Sequence, residues 1–205
     1  MRAITGQKYT LEEYFELERN SAEKWEFWDG HVWCMSGANE PHESIVSNVI
    51  LHLRNKLGRG CRVYGSNLKV AVPNFPPYRY PDLSVVCNEK EIIKMGGLDV
   101  LANPQMVIEV LSKSTEAFDR GDKFTYYKSI ASLTDYMLVS TKRPFVTHFC
   151  KGNEGEWRYR DSEGFGGILS LPTFGIEVQL AEIYLDVDLP NENVLDPESE
   201  RPQMR

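Results

Sequence analysis

The chain reads as an α/β (α+β) protein: a mixed β-sheet core flanked by helices, with an N-terminal β-hairpin and antiparallel strands toward the C-terminus. Three observations predict this. Apolar runs of strand length, such as Leu83–Cys87 and Met106–Leu111, are separated by stretches of helical periodicity. Two aromatic-rich runs flank Asp29-Gly30, the dipeptide a tight hairpin turn prefers. Beyond residue 140 the apolar segments are short and spaced by turn residues, which is the rhythm of antiparallel strands. Helices interspersed in such a pattern give a mixed sheet rather than a bundle or a sandwich.

Each element has a local reason. Thr10 and Glu13 form a capping box that opens a first helix with Leu11, Tyr14 and Phe15 on its apolar face. The hairpin follows; in its first run Trp25, Phe27 and Asp29 share one face, and Lys24, Glu26 and Trp28 the other. Pro41-His-Glu-Ser starts a second helix, where Ile45, Val49, Leu53 and Leu57 recur every four residues until Gly58 and Gly60 stop it. Cys61–Val72 reads as one or two strands, and Asn74–Pro81 as a rigid, proline-rich connection. Leu83–Cys87 and Met106–Leu111 are buried strands, the second interrupted only by Glu109. A helix from Ser114 to Ile130 leads to a strand at Asp135–Ser140. Short strands then follow at Phe145–Cys150, Trp157–Asp161, Gly167–Leu169 and Glu177–Leu180, with a final helix at Leu180–Leu185.

The 205 residues correspond to one domain at ~150 residues per domain, here residues 1–185, followed by an acidic, loose tail over residues 186–205. The tail carries six acids against two bases, so most of the net charge of −7 sits there and the body is near neutral. That balance disfavours a protein that coats nucleic acid non-specifically, yet it permits a local basic face. No apolar run is long enough to span a bilayer, and the N-terminus has no long apolar stretch of the secretory kind, which points to the cytoplasm. The cysteines at 34, 61, 87 and 150 show no paired zinc spacing and read as four reduced thiols.

The chemistry concentrates in two acids. Asp82 begins PDLSVV, and Glu109 sits inside MVIEVL with apolar residues on both sides. A carboxylate within a buried strand is costly unless it is paired or bound to a cation. Two of them on successive strands suggest a converging pair, whose repulsion a divalent ion relieves; oxygen-only donors favour Mg²⁺ or Mn²⁺ over zinc. Such an ion offsets charge on a scissile phosphate and lowers the pKa of a bound water. A lysine would orient that water, and Lys113 and Lys123 are the candidates.

The order PDLSVV, NPQMVIEVLSKST, DRGDKFTYYKSI and DYMLV, with the hairpin EFWDGHVWCMSGANEPHESI ahead of it, resembles the Uma-two family of restriction endonuclease-like proteins, within the PD-(D/E)xK nuclease superfamily. The resemblance covers roughly Tyr9–Tyr184, and EVLSKST followed eight residues later by Lys123 is its most specific part. It implies a restriction-endonuclease-like core with Asp82 and Glu109 as metal ligands and Val110 contributing at most a backbone carbonyl. The superfamily's usual lysine lies two residues after the second acid, where this chain has Leu111. The resemblance moves that role to Lys123, ahead of Lys113, and offers Glu26 as a further metal-side carboxylate.

Each residue has a plainer reading. Asp82 follows a proline and could cap a turn; Glu109 could pair with an interior arginine; Lys123 and Glu26 could be solvated; His42 could merely start its helix. The reading that follows is a Mg²⁺- or Mn²⁺-dependent endonuclease acting on DNA rather than RNA through metal-activated water, in the form of a homodimer whose contact could be the tryptophan hairpin. One alternative is a nuclease fold kept as a catalytically inactive binding or assembly module. Another is a structural or carbohydrate-binding domain, which requires that the two acids do not converge.

Overall fold

The computed structural model describes residues 2–3, 8–35, 37–73, 78–113 and 115–190. Most of the acidic tail expected at 186–205 lies outside these residues, as do Ser114 and part of the proline-rich connection.

A six-stranded sheet organises the fold. Its order is Trp157–Glu163, Phe145–Lys151, Asp135–Ser140, Met106–Leu111, Leu83–Cys87, Cys61–Gly65. All neighbours are antiparallel except the central pair, Met106–Leu111 and Asp135–Ser140, which run parallel. A parallel pair needs a crossover, and the helical segment between the two strands supplies it. Every residue of both central strands is buried, because helices or hairpins cover the two faces of the sheet.

Side-chain alternation divides those strands between two cores. Met106, Ile108 and Val110 pack with Met137 and Val139 against Ile45, Val49 and Leu53 of the long helix Glu40–Leu57. The four-residue stripe is the cause: it turns one helix face to the sheet, and each fully buried aliphatic contributes about 1.5–3 kcal/mol. Val107 and Leu111 face the other way, into a core with Phe124, Tyr127, Ile130 and Tyr136. A smaller sheet, ordered Tyr78–Arg79, Lys69–Ala71, Leu98–Leu101, Ile92–Met95, joins the first helix (Leu11–Asn20) and the hairpin in a third core around Tyr14 and Tyr78.

The capping box forms, with Glu13 accepting from Thr10 N–H at 2.7 Å and Thr10 accepting from Glu13 N–H at 3.2 Å. Asp29 and Gly30 both adopt positive φ, 45° and 80°, the pair a type I′ turn requires. The helix expected from Ser114 to Ile130 is shorter and irregular: Glu116–Phe118, a π-helical turn at Asp119–Lys123, then Phe124–Tyr127. The hairpin Ile92–Met95 and Leu98–Leu101 escaped the sequence reading, because its first strand is exposed or half-exposed throughout and shows no alternation.

The cysteine reading needs a correction. Cys61 and Cys87 form a disulfide, and only Cys34 and Cys150 are free thiols. The two residues lie directly opposite each other on antiparallel strands, with Cα atoms 3.9 Å apart. A separation of 26 residues carries no hint of this, since the pairing register alone brings them together. Among the described residues, no helix is long and apolar enough to cross a membrane.

Candidate active site

The two acids converge. The Leu83–Cys87 strand pairs with Met106–Leu111 only as far as Leu83 opposite Ile108. Beyond that point the Asp82 carboxylate replaces a backbone partner: its Oδ2 accepts from Val110 N–H at 2.7 Å. Asp82 N–H in turn points to Glu109 Oε2 at 3.4 Å. Strand end and side chain are thus tied together, and both carboxylates line one cleft of about 550 Å³ with His42, Val110, Asp119 and Lys123. A domain in which the acids stay apart is excluded by this geometry.

Lys123 comes from the crossover. Its Nζ stands 2.9 Å from Glu109 Oε1 and 3.3 Å from Asp119 Oδ1. The π-helical turn presents Asp119 and Lys123, four residues apart, on the side that faces the sheet. Tyr127, one turn further, donates to Glu109 Oε1 at 3.2 Å, and Tyr136 OH donates to the Asp119 carbonyl at 2.8 Å. From the other side of the cleft, His42 Nε2 lies 3.2 Å from Asp82 Oδ2. His42 is placed by its helix start, where Asn39 caps its N–H at 3.3 Å.

These contacts set the charge state. Burial raises the Glu109 carboxyl well above its usual range, and the neighbouring Asp119 and Asp82 add to that despite Lys123. Burial pulls Lys123 the other way, but Glu109 and Asp119 outweigh it and hold the ammonium charged, well above the ordinary lysine value. The His42 imidazole is likewise raised: burial opposes its charge, and the hydrogen bond and charge of Asp82 prevail. Glu109 and Asp119 thus share the Lys123 ammonium, and Asp82 lies beside them in the same cleft.

Glu26 occupies a different place. It is buried rather than solvated, its Oε2 lies 3.5 Å from Arg79 Nη1, and its Oε1 accepts from Tyr80 N–H at 3.3 Å. It is not among the residues that line the cleft, although its charge reaches Lys123. Arg79 is itself buried, facing the rings of Tyr126 and Phe118 at 5.3 and 5.8 Å. Among the described residues Glu109 has no arginine partner of the kind its plainer reading required; its cation is Lys123.

Sequence reasoning did not place Asp119, Arg79 or the Tyr127 hydroxyl at the site; it read His42 as a helix-start residue with a hydrogen bond near the site, and the structure puts that bond on Asp82. Asp119 had a faint signal, its four-residue spacing from Lys123. Arg79 had none, because its partners lie on the hairpin and on the crossover helix.

The resemblance implies a divalent metal between these donors. Asp82 and Glu109 offer hard oxygens, and the buried Asp119 Oδ1 atom makes no hydrogen bond but has the Lys123 ammonium at 3.3 Å. Asp82, Glu109 and Asp119 bring carboxylate oxygens into one cleft, and a divalent cation there would relieve their mutual repulsion. The donor set therefore fits Mg²⁺ or Mn²⁺.

A mixed sheet of this order, flanked by helices, is the fold of a restriction-endonuclease-like protein. Its backbone matches the crystal structure of a "putative nuclease belonging to DUF820" from Anabaena variabilis with a TM-score of 0.68, at 15% identity, over 85% of this chain and 97% of the other. The chain belongs to the Uma2 family, described as "Putative restriction endonuclease", whose model matches residues 11–187. Two proteins of Synechocystis sp., both named as uncharacterised, are similar along most of their length. The first, slr1290, is 33% identical over 86% of this chain and 92% of its own. The second, sll1609, is 29% identical over 77% of this chain and 89% of its own.

Proposed function

We propose that the chain is a Mg²⁺- or Mn²⁺-dependent endonuclease that hydrolyses phosphodiester bonds in DNA. The observation that carries this reading is the meeting of Asp82 and Glu109, from adjacent strands, with the Lys123 ammonium in one open cleft. Asp82 and Glu109 would hold the ion, with the Val110 carbonyl as a further donor. When bound, the ion offsets phosphate charge and acidifies a water molecule.

The chain's own residues do the rest. Lys123, kept charged by Glu109 and Asp119, orients the attacking water and balances charge that develops on the phosphate oxygens. Asp119 and Tyr127 are positioning residues that hold the lysine and the carboxylate in register. His42 orients Asp82. Glu26, behind the cleft, acts on Lys123 through its charge rather than by contact. Lys24 lines the cleft and provides a second cation for the nucleic-acid backbone. The reading extends to a homodimer, since cutting both strands of a duplex calls for two such clefts.

A second reading, a nuclease fold that binds without turnover, draws on the direct Lys123–Glu109 ion pair, which occupies one of the two ligands. A single set of measurements separates the two. The purified chain with Mg²⁺ or Mn²⁺ should nick supercoiled plasmid, and Asp82→Ala or Glu109→Ala should abolish both nicking and Mn²⁺ binding in calorimetry. Wild-type Mn²⁺ affinity in both variants would refute the metal assignment. DNA binding without cleavage by the wild type, at any divalent ion, would favour the binding module.

A further inference from the structure

We propose a second metal site, on the opposite face of the main sheet from the cleft, formed by Asp135, His148 and Cys150 and suited to a borderline transition cation such as Zn²⁺ or Co²⁺. Register creates it. Asp135 lies opposite Cys150, and His148 lies opposite Met137, so the strand period of two puts all three side chains on one face. Their ligand atoms lie within 4.8 Å of one another. That face is the one Met137 and Val139 share with the long helix, whereas Glu109 points to the Tyr127 side.

Asp135 is fully buried, and its Oδ1 shares a proton with His148 Nε2 at 2.6 Å. Its Oδ2 is also buried and has no hydrogen-bond partner among the described residues. An unsatisfied carboxylate oxygen in an interior is costly, and a cation beside it removes that cost. Cys150 is half-exposed and gives the ion a way in; its Sγ lies 3.5 Å from Thr173 Oγ1, on the turn Pro172–Phe174.

The donor set names the class of ion. One carboxylate oxygen, one imidazole nitrogen and one thiolate suit tetrahedral zinc, with a water or the Thr173 hydroxyl in the fourth position. A sulfur donor is poor for Mg²⁺, so the two sites would select different metals. Binding releases protons: the ion displaces the one shared by Asp135 and His148, and the Cys150 thiol gives its proton to solvent. The ion would staple the Phe145–Lys151 strand to its neighbour and to the turn above.

The experiment uses the full chain stripped with a chelator and titrated with Co²⁺ alone, because a thiolate ligand produces a near-ultraviolet sulfur-to-cobalt charge-transfer band. One equivalent of Co²⁺ should develop the band, and Zn²⁺ should abolish it. Cys150→Ser should remove it, Cys34→Ser should leave it intact, and His148→Gln should weaken Co²⁺ binding by about tenfold or more. Cys150 is half-exposed, so its serine variant keeps the test open if His148→Gln fails to fold. Asp82→Ala and Glu109→Ala should not change the band. Its absence in the wild type, its persistence in Cys150→Ser, or its loss in Asp82→Ala would overturn the proposal.

Discussion

Lys123 and Glu109 face each other at 2.9 Å, with side chains only 5% and 3% exposed, and Asp119 completes the cluster at 3.3 Å from the same ammonium. This small buried group joins the crossover helix to the central strand. It is also where the proposed chemistry would take place.

The first prediction concerns that lysine. Lys123→Ala leaves Glu109 and Asp119 buried without their cation, a change that costs about 3–5 kcal/mol for a buried pair. In chelator the variant should unfold at a markedly lower urea midpoint than the wild type. Mn²⁺ should restore part of the loss, and plasmid nicking should stay absent. Retained nicking would transfer the catalytic role to Lys113.

Arg79 and Glu26 provide a second test. Arg79→Met removes the guanidinium 3.5 Å from the Glu26 carboxylate and should destabilise the fold by about 3–5 kcal/mol. Adding Glu26→Gln to that variant should recover most of the stability, because no buried charge then stands alone. Urea unfolding of the single and double variants measures this coupling. A Glu26→Gln variant that lost Mn²⁺ binding would instead make Glu26 a metal ligand.

The pH dependence of the metal-free protein should report His42. Its ordinary value is 6.5 and its folded value is raised, so the folded state holds the proton more tightly than the unfolded chain. The resulting stabilisation is fully present below 6.5 and is lost as pH rises through the folded value. The stability difference between wild type and His42→Gln, measured in chelator, should therefore be largest in mild acid and shrink toward alkaline pH. A difference that grew with pH would contradict the Asp82–His42 pairing.

The Cys61–Cys87 bond closes a 26-residue span. Chain entropy for a loop of that size predicts a loss of about 3.5 kcal/mol when it is opened. Reductant, or Cys61→Ser with Cys87→Ser, should lower the urea midpoint accordingly. An unchanged midpoint would show that the two strands need no covalent link.

By itself the sequence determined what is periodic or local. The stripe Ile45–Val49–Leu53 made a helix with one buried face, the Thr10–Glu13 box capped another, and Asp29-Gly30 closed a hairpin. These signals are legible because the backbone repeats every 3.6 or 2 residues and turns demand particular side chains. The order of Asp82, Glu109 and Lys123 along strand, strand and helix, read through the family resemblance, was enough to expect their convergence. Only the tertiary structure decided who stands beside whom. It put His42 on Asp82, Arg79 on Glu26, Cys61 on Cys87, and Asp135 beside His148 and Cys150. Such pairings depend on register and packing between segments distant in the chain, and no repeat in the sequence encodes those distances.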